Sequence, residues 1–145
     1  MTSESPLSID HNTPATLQRD IRPQRLTAEE IGLDKIGQIV DMFYDRVRKD
    51  AVLGPRFSVV SDWSIHKARL THFWWVTLGG SAYAPYRYRV VEAHRIIDIR
   101  SEEITYWLNL FDSCLRTSLS EPAAEAWMRR AGAMGKSLSR IAAGD

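Results

Sequence analysis

Ile36, Ile39, Val40, Phe43, Tyr44 and Val47 recur every three to four residues between Asp34 and Lys49. At 3.6 residues per turn, that spacing puts all six on one side of a helix and leaves one broad face to bury. The same period returns in Ile104, Trp107, Leu108, Phe111 and Leu115, and again in Trp127, Met128, Ala131, Met134, Leu138 and Ile141. No stretch alternates apolar and polar residues between hairpin turns, so strands are not expected. The chain reads as all-α.

Punctuation residues set the boundaries. Thr27-Ala28-Glu29-Glu30 matches a capping box, and Gly32 interrupts the turn it opens. The helix from about Asp34 to Lys49 ends before Gly54 and Pro55. Asp62 reads as the N-cap of a helix over 63–78, closed by Gly79-Gly80. Residues 81–89 are irregular and aromatic, and a short helix is expected near Val90–His94. Ser101-Glu102-Glu103 opens a further helix, with acidic residues at its positive end. Ser120-Glu121-Pro122 opens the last, with proline in the first turn. Residues 1–25 carry few large apolar side chains and read as a mobile tail, leaving 26–145 as the folded domain. The helices are too uneven for an up-down bundle; steep packing around a ligand suits them better.

Charge and cysteine content narrow the function. Lys plus Arg number 19 against 18 Asp plus Glu, a net charge of +1, so there is no electrostatic case for binding nucleic acid or an anionic membrane. A lone cysteine, Cys114, can form neither an internal disulfide nor a thiolate cluster, which fits a reducing, cytoplasmic setting. It follows Phe111 on an apolar face and reads as a small buried hydrophobe. No apolar run approaches the ~20 residues of a membrane-spanning helix, and the N-terminus lacks the pattern of a secretory signal. Gly79-Gly80 lacks the context of a phosphate loop, and no serine sits in a nucleophile elbow.

The histidines carry more information. His66 precedes Leu70 by four residues and Phe73 by seven, so it shares their inward face. His72 lies about 240° from His66 around the helix and is expected at the surface. His94 follows Val90, Val91 and Ala93. Each inward histidine has a plain reading, a hydrogen-bonded core residue. Zinc would require three or four ligands with close-spaced pairs, and the chain has no H-x-x-x-H or C-x-x-C. A haem needs only one axial histidine, because the porphyrin supplies four nitrogens, so isolated histidines on different helices suit it better. Tyr44 and Trp107 read first as core aromatics. Buried, however, their O–H and N–H need partners, and with His66 they could line a small polar pocket for a diatomic ligand.

Several segments then resemble a known family. Phe43-Tyr44-Asp45-Arg46-Val47-Arg48 with Leu53-Gly54-Pro55-Arg56-Phe57 resembles the first motif of group III truncated haemoglobins. Asp62-Trp63-x-x-His66-x-x-x-Leu70-x-x-Phe73-Trp74 resembles their distal helix. Val91-Glu92-Ala93-His94 resembles the proximal segment, and Tyr106-Trp107-Leu108-Asn109-Leu110-Phe111 the helix after it. Order and spacing agree over roughly residues 30 to 140. A Tyr- and Arg-rich stretch before His94, and Ile96–Arg100 in place of a proline-containing run, depart from the family.

The resemblance implies a two-over-two helical sandwich around haem b. His94 would be the proximal iron ligand, and Tyr44, His66 and Trp107 would line the distal pocket. Phe57, Leu70 and Phe73 would pack the haem, and Arg69 and Arg95 would pair with its propionates. The implied function is binding of dioxygen, nitric oxide or related diatomics, with slow release through the Tyr44 and Trp107 donors. The alternatives are a haem oxidoreductase removing nitric oxide or peroxide with an unidentified reductase, and a haem-free all-α interaction domain. The expected state is a monomer or weak dimer.

Overall fold

The computed structural model describes residues 25–86, 88 and 100–142. Among the described residues there are five α-helices: α1 Arg25–Ile31, α2 Leu33–Lys49, α3 Trp63–Thr77, α4 Ser101–Ser118 and α5 Glu121–Ala142. A 3-10 turn, Gly54–Phe57, lies between α2 and α3, and there is no strand among the described residues. α2 packs on α3, α4 packs on α5, and α2 also crosses onto α4. This is the two-over-two sandwich expected.

Each predicted apolar face is the one that packs. Ile36, Ile39, Val40, Phe43, Tyr44 and Val47 are all buried on α2. Ile104, Phe111, Cys114 and Leu115 are buried on α4, and Trp127, Ala131 and Leu138 on α5. Phe111 is the hub, touching one aromatic ring from each other core helix. Its ring lies 4.8 Å from Phe43 of α2, 5.6 Å from Trp74 of α3 and 5.5 Å from Trp127 of α5. Trp107, one turn earlier on α4, sits 4.9 Å away. Such pairs contribute about 0.5–1.5 kcal/mol each beyond the area they bury. The indole nitrogens of Trp74 and Trp127 are buried with no partner among the described residues. An orphaned N–H costs about 1–3 kcal/mol, which the surrounding ring burial offsets.

The start of α1 corrects one expectation. The helix begins at Arg25, so Thr27 lies inside its first turn and is not its cap. The reason is tertiary: the Ala28 N–H, one of the orphan donors of that turn, is satisfied by the Leu78 carbonyl at 3.1 Å. Gly32 separates α1 from α2 with φ 92°, a left-handed conformation that favours glycine. Asp62 caps α3 as expected, accepting from the Ile65 N–H at 3.1 Å. At the other end of α3, the Trp75 indole lies so close over Gly80 that a Cβ there would fall 2.2 Å from the ring. The same indole donates to the Ser81 carbonyl at 2.8 Å, fastening the chain as it leaves the helix.

Charged pairs decorate this core. Lys67 of α3 bonds Asp41 at 2.8 Å and Asp45 at 2.6 Å, both on α2. Arg116 joins α4 to α5 through Asp112, Glu121 and Glu125. The carboxylates are largely exposed, so each pair contributes about 1 kcal/mol or less.

Packing and surface charge therefore differ sharply in weight. Phe111→Ala should lower the unfolding free energy by about 3–5 kcal/mol, whereas Lys67→Ala should cost about 1 kcal/mol or less. Urea denaturation midpoints measure both; equal losses would contradict the hub role of Phe111.

Candidate functional site

α2 and α4 bring the expected polar pair together. Tyr44 is 5% exposed, and the Trp107 indole N–H lies near enough to its hydroxyl to ease ionisation of the phenol slightly. Burial pushes the Tyr44 phenol far above its ordinary value, only partly offset by the Trp107 donor. The hydroxyl therefore stays protonated, and its own proton has no acceptor among the described residues. Trp107 thus stands beside Tyr44, the neighbour the sequence reading gave it.

Aromatic rings wall this hydroxyl. Tyr44 meets Phe43 edge-on at 5.0 Å, and Phe57 and His66 at 6.1 and 6.2 Å. His66 also stands edge-on to Trp63 at 5.2 Å and 90°, and Trp63 lies 6.2 Å from Tyr44. The Arg48 guanidinium covers Trp63 at 4.8 Å, a cation–π contact that pins the indole. His66 is half-buried. Burial first, and the Arg69 charge second, hold its imidazole below the ordinary histidine range. The sequence did not single out Trp63, although its position three residues before His66 on one helix was the available signal.

Phe57 is positioned from two sides. Asp50 Oδ1 accepts the Val52 and Leu53 N–H groups at 2.8 and 2.9 Å, turning the chain out of α2. Tyr106 of α4 donates to Asp50 Oδ2 at 2.7 Å. Arg56, next to Phe57, pairs with Glu103 of α4 at 3.0 Å, and Glu103 Oε1 accepts the Arg100 N–H at the start of that helix. The turn is thus tied to the helix that carries Trp107.

α3 uses more than one face. Leu70 and Phe73 are partly buried against the core, Trp74 is fully buried, and Ile65 and Val76 are exposed. His72 corrects the sequence reading: expected at the surface, it is 2% exposed. The reason lies in residues 83–88, whose tyrosines cover it. Tyr83 and Tyr86 meet the imidazole edge-on at 4.5 and 5.0 Å, and Tyr88 stacks on it at 6.0 Å. Helical periodicity could not reveal a cover built by an irregular segment. The Arg69 guanidinium lies over Tyr86 at 4.7 Å and Tyr88 at 5.5 Å. His94 and Arg95, with the expected short helix near Val90–His94, lie outside the described residues, as does the 1–24 portion of the expected tail.

The donor set fits a haem. A protonated phenol and a half-buried imidazole converge from α2 and α3, beside Phe57, Leu70, Phe73 and Trp107, apolar side chains that are each only partly covered. Among the described residues no group of three or more His, Cys, Asp or Glu could hold a bare metal ion.

Residues 27–137 match the family model for bacterial-like globins. The chain belongs to that family. It is 29% identical over 109 residues to the group 3 truncated hemoglobin ctb of Campylobacter jejuni, a match covering 71% of this chain and 84% of that one. It also superposes on the crystal structure of a group III truncated hemoglobin from Campylobacter jejuni with a TM-score of 0.69. That match has 28% identity and covers 77% of this chain and 91% of the other. The family binds haem, and small diatomic ligands at the haem. No helix of this globin, among the described residues, is long and apolar enough to cross a membrane.

The depressed titration of His66 has a definite sign. Below about pH 6.5 the unfolded chain takes up a proton on this residue that the folded chain resists, so stability falls as pH falls through that range. The protein lacking haem should lose less stability between about pH 7.5 and 5.5 as His66→Leu than as the parent. Paired urea titrations at the two pH values measure it; an unchanged pH dependence would contradict the assignment.

Proposed function

We propose that this globin binds dioxygen and related diatomic ligands through haem b and releases dioxygen slowly. Bound haem would supply the iron at which the ligand attaches, with His94 as its proximal ligand. Phe57, Leu70 and Phe73 would pack its faces, and Arg69 and Arg95 would pair with its propionates. The observation that carries this reading is the buried Tyr44 phenol, set among the rings of His66, Phe57 and Trp63 and beside the Trp107 indole N–H. Burial keeps the phenol protonated, so its proton is available to donate.

Bound haem would supply chemistry that leaves a diatomic ligand partially negative at its outer atom. A fixed O–H donor in a water-poor pocket stabilises that charge, and a charge-assisted hydrogen bond contributes about 1.5–3 kcal/mol. Tyr44 is the principal donor in this reading, and the Trp107 N–H is a second one. His66, kept neutral by burial, either adds a donor or screens the entrance together with Trp63. Strong retention suits chemistry on the bound ligand more than bulk carriage. The same donors would polarise a peroxide O–O bond, so turnover of nitric oxide or peroxide with a cytoplasmic reductase is the second reading. The folded unit is residues 26–145, acting as a monomer or weak dimer.

Purified protein should show an intense Soret band that is lost or shifted in His94→Ala. A colourless parent that gains no band on hemin titration would overturn the proposal in favour of a haem-free interaction domain. Tyr44→Phe should accelerate dioxygen dissociation about ten- to hundredfold. Trp107→Phe should do so by less, because the phenol still donates, and the double variant by more than either. Stopped-flow dissociation rates measure this; a double variant as slow as the parent would exclude the distal donors.

A further inference from the structure

Arg48, Trp63 and Tyr44 form three layers of falling exposure: an exposed guanidinium, a half-buried indole and a phenol that is 5% exposed. Register explains the order. Arg48 stands four residues after Tyr44, so the two lie one turn apart on the same side of α2. α3 brings Trp63 in between from the other layer of contacts. Its ring lies 6.2 Å from Tyr44 at a tilt of 36° and 6.1 Å from Phe57 at 40°, and it meets His66 edge-on at 5.2 Å. Phe57 and His66 are themselves the rings that flank Tyr44 on its α3 side. Trp63 therefore touches the phenol and both of its flanking neighbours at once.

The place of Trp63 in the chain makes this ring easy to displace. It is the first residue of α3, and helix ends fray. Its neighbours Ser61, Asp62, Ser64 and Ile65 are all exposed. The Asp62 cap fixes the backbone at this point through the Ile65 N–H, but it does not hold the indole. The Arg48 guanidinium does, lying 4.8 Å from the ring centroid. Asp45, the carboxylate one turn before Arg48, is already bonded to Lys67 at 2.6 Å. A planar cation spread on a planar ring resists tilting of that ring, which a compact ammonium does less well.

We propose that Arg48 is a positioning residue acting through Trp63: the cation–π contact holds the indole across the approach to the Tyr44 hydroxyl and so limits the size of the ligand that reaches it. The proposal rests on the haem reading above and adds a size limit to it. A diatomic needs little movement of the indole, whereas a longer ligand needs the ring to swing aside. One exposed cation–π contact favours the covering position about two- to fivefold. Entry of a bulky ligand should quicken by about that factor when the charge is removed, and by more when the ring is removed.

The test uses the full chain, loaded with hemin and reduced. Flash photolysis reads the association rates of carbon monoxide and of n-butyl isocyanide. Arg48→Met keeps a long side chain and deletes the charge, and Arg48→Lys restores a cation without the planar fork. Arg48→Met should raise the ratio of isocyanide to carbon monoxide association rates about two- to fivefold. Trp63→Ala should raise it further, and Arg48→Lys less than Arg48→Met. A second measurement needs no haem. In haem-free protein labelled with fluorotryptophan, the fluorine NMR signal missing from Trp63→Phe identifies Trp63. That signal should move or broaden in Arg48→Met while those of the other tryptophans stay in place. A merely structural contact would lower the melting temperature of Arg48→Met without changing the ratio. A parental ratio in Arg48→Met or in Trp63→Ala, or an unmoved Trp63 signal in Arg48→Met, would overturn the proposal while leaving the haem reading intact. A parent that takes up no hemin would overturn both.

Discussion

The contact between Phe43 and Phe111 is the one on which the rest of the molecule depends. At 4.8 Å it is the closest ring pair of the aromatic hub, and it joins the two layers, α2 from one and α4 from the other. Its consequences are local and steric. Tyr44 follows Phe43 by one residue, so it is rotated about 100° around α2 and points past the hub. Trp107 precedes Phe111 by four residues, so it lies one turn along the same face of α4. Packing Phe43 on Phe111 therefore carries the phenol and the indole toward each other. The polar groups of the pocket are positioned by apolar contacts.

The sequence exposed those parts of the fold that are governed by period. The buried faces of α2, α4 and α5 followed from residue spacing, because a helix with a single apolar stripe has one way to bury it. α3 resisted the same treatment. Its apolar and polar residues are interleaved around the helix with no single stripe, and it is contacted on different sides by α2, by Tyr83, Tyr86 and Tyr88, and by the hub. Leu70 and Phe73 read as its buried face, yet Trp74 and His72 are the residues fully enclosed. Thr27 failed as a cap for a related reason, since the carbonyl of Leu78, distant in sequence, does the work a side chain would have done. Tyr44, His66 and Trp107 were legible as a pocket because three helical registers converge on it. How near the Trp107 indole comes to the Tyr44 hydroxyl was not, because spacing along two helices does not say how closely they pack.

Tethers around the site divide into two kinds. Exposed ion pairs such as Lys67 with Asp41 and Asp45 fix little energy but do set the register of α3 on α2. Those at the turn after α2 bear on the pocket more directly. The part-buried pair of Arg56 with Glu103, and the exposed hydrogen bond from Tyr106 to Asp50, cross from that turn to the first turns of α4, so Phe57 cannot move away from the pocket without breaking one of them. Glu103 has a second duty, accepting the Arg100 N–H, so breaking its pair with Arg56 would also loosen the start of the helix that holds Trp107.

Burial acts on the ionisable groups of the pocket in one direction, toward the neutral form. It raises the Tyr44 phenol and lowers the His66 imidazole, and the nearby Arg69 charge reinforces the second effect. On the proposed function this has a chemical consequence. Neutral donors stabilise a ligand whose charge is partial and develops only on binding, without offering a full positive charge to hydrated anions from solvent. A charged imidazolium at the same place would favour such anions and would also recruit water, which weakens every hydrogen bond in the pocket. On that function the arrangement would select for small ligands that arrive uncharged and become polarised in place. The ring wall of Phe43, Phe57 and Trp63, by limiting water around Tyr44, would then matter as much as the donors it surrounds.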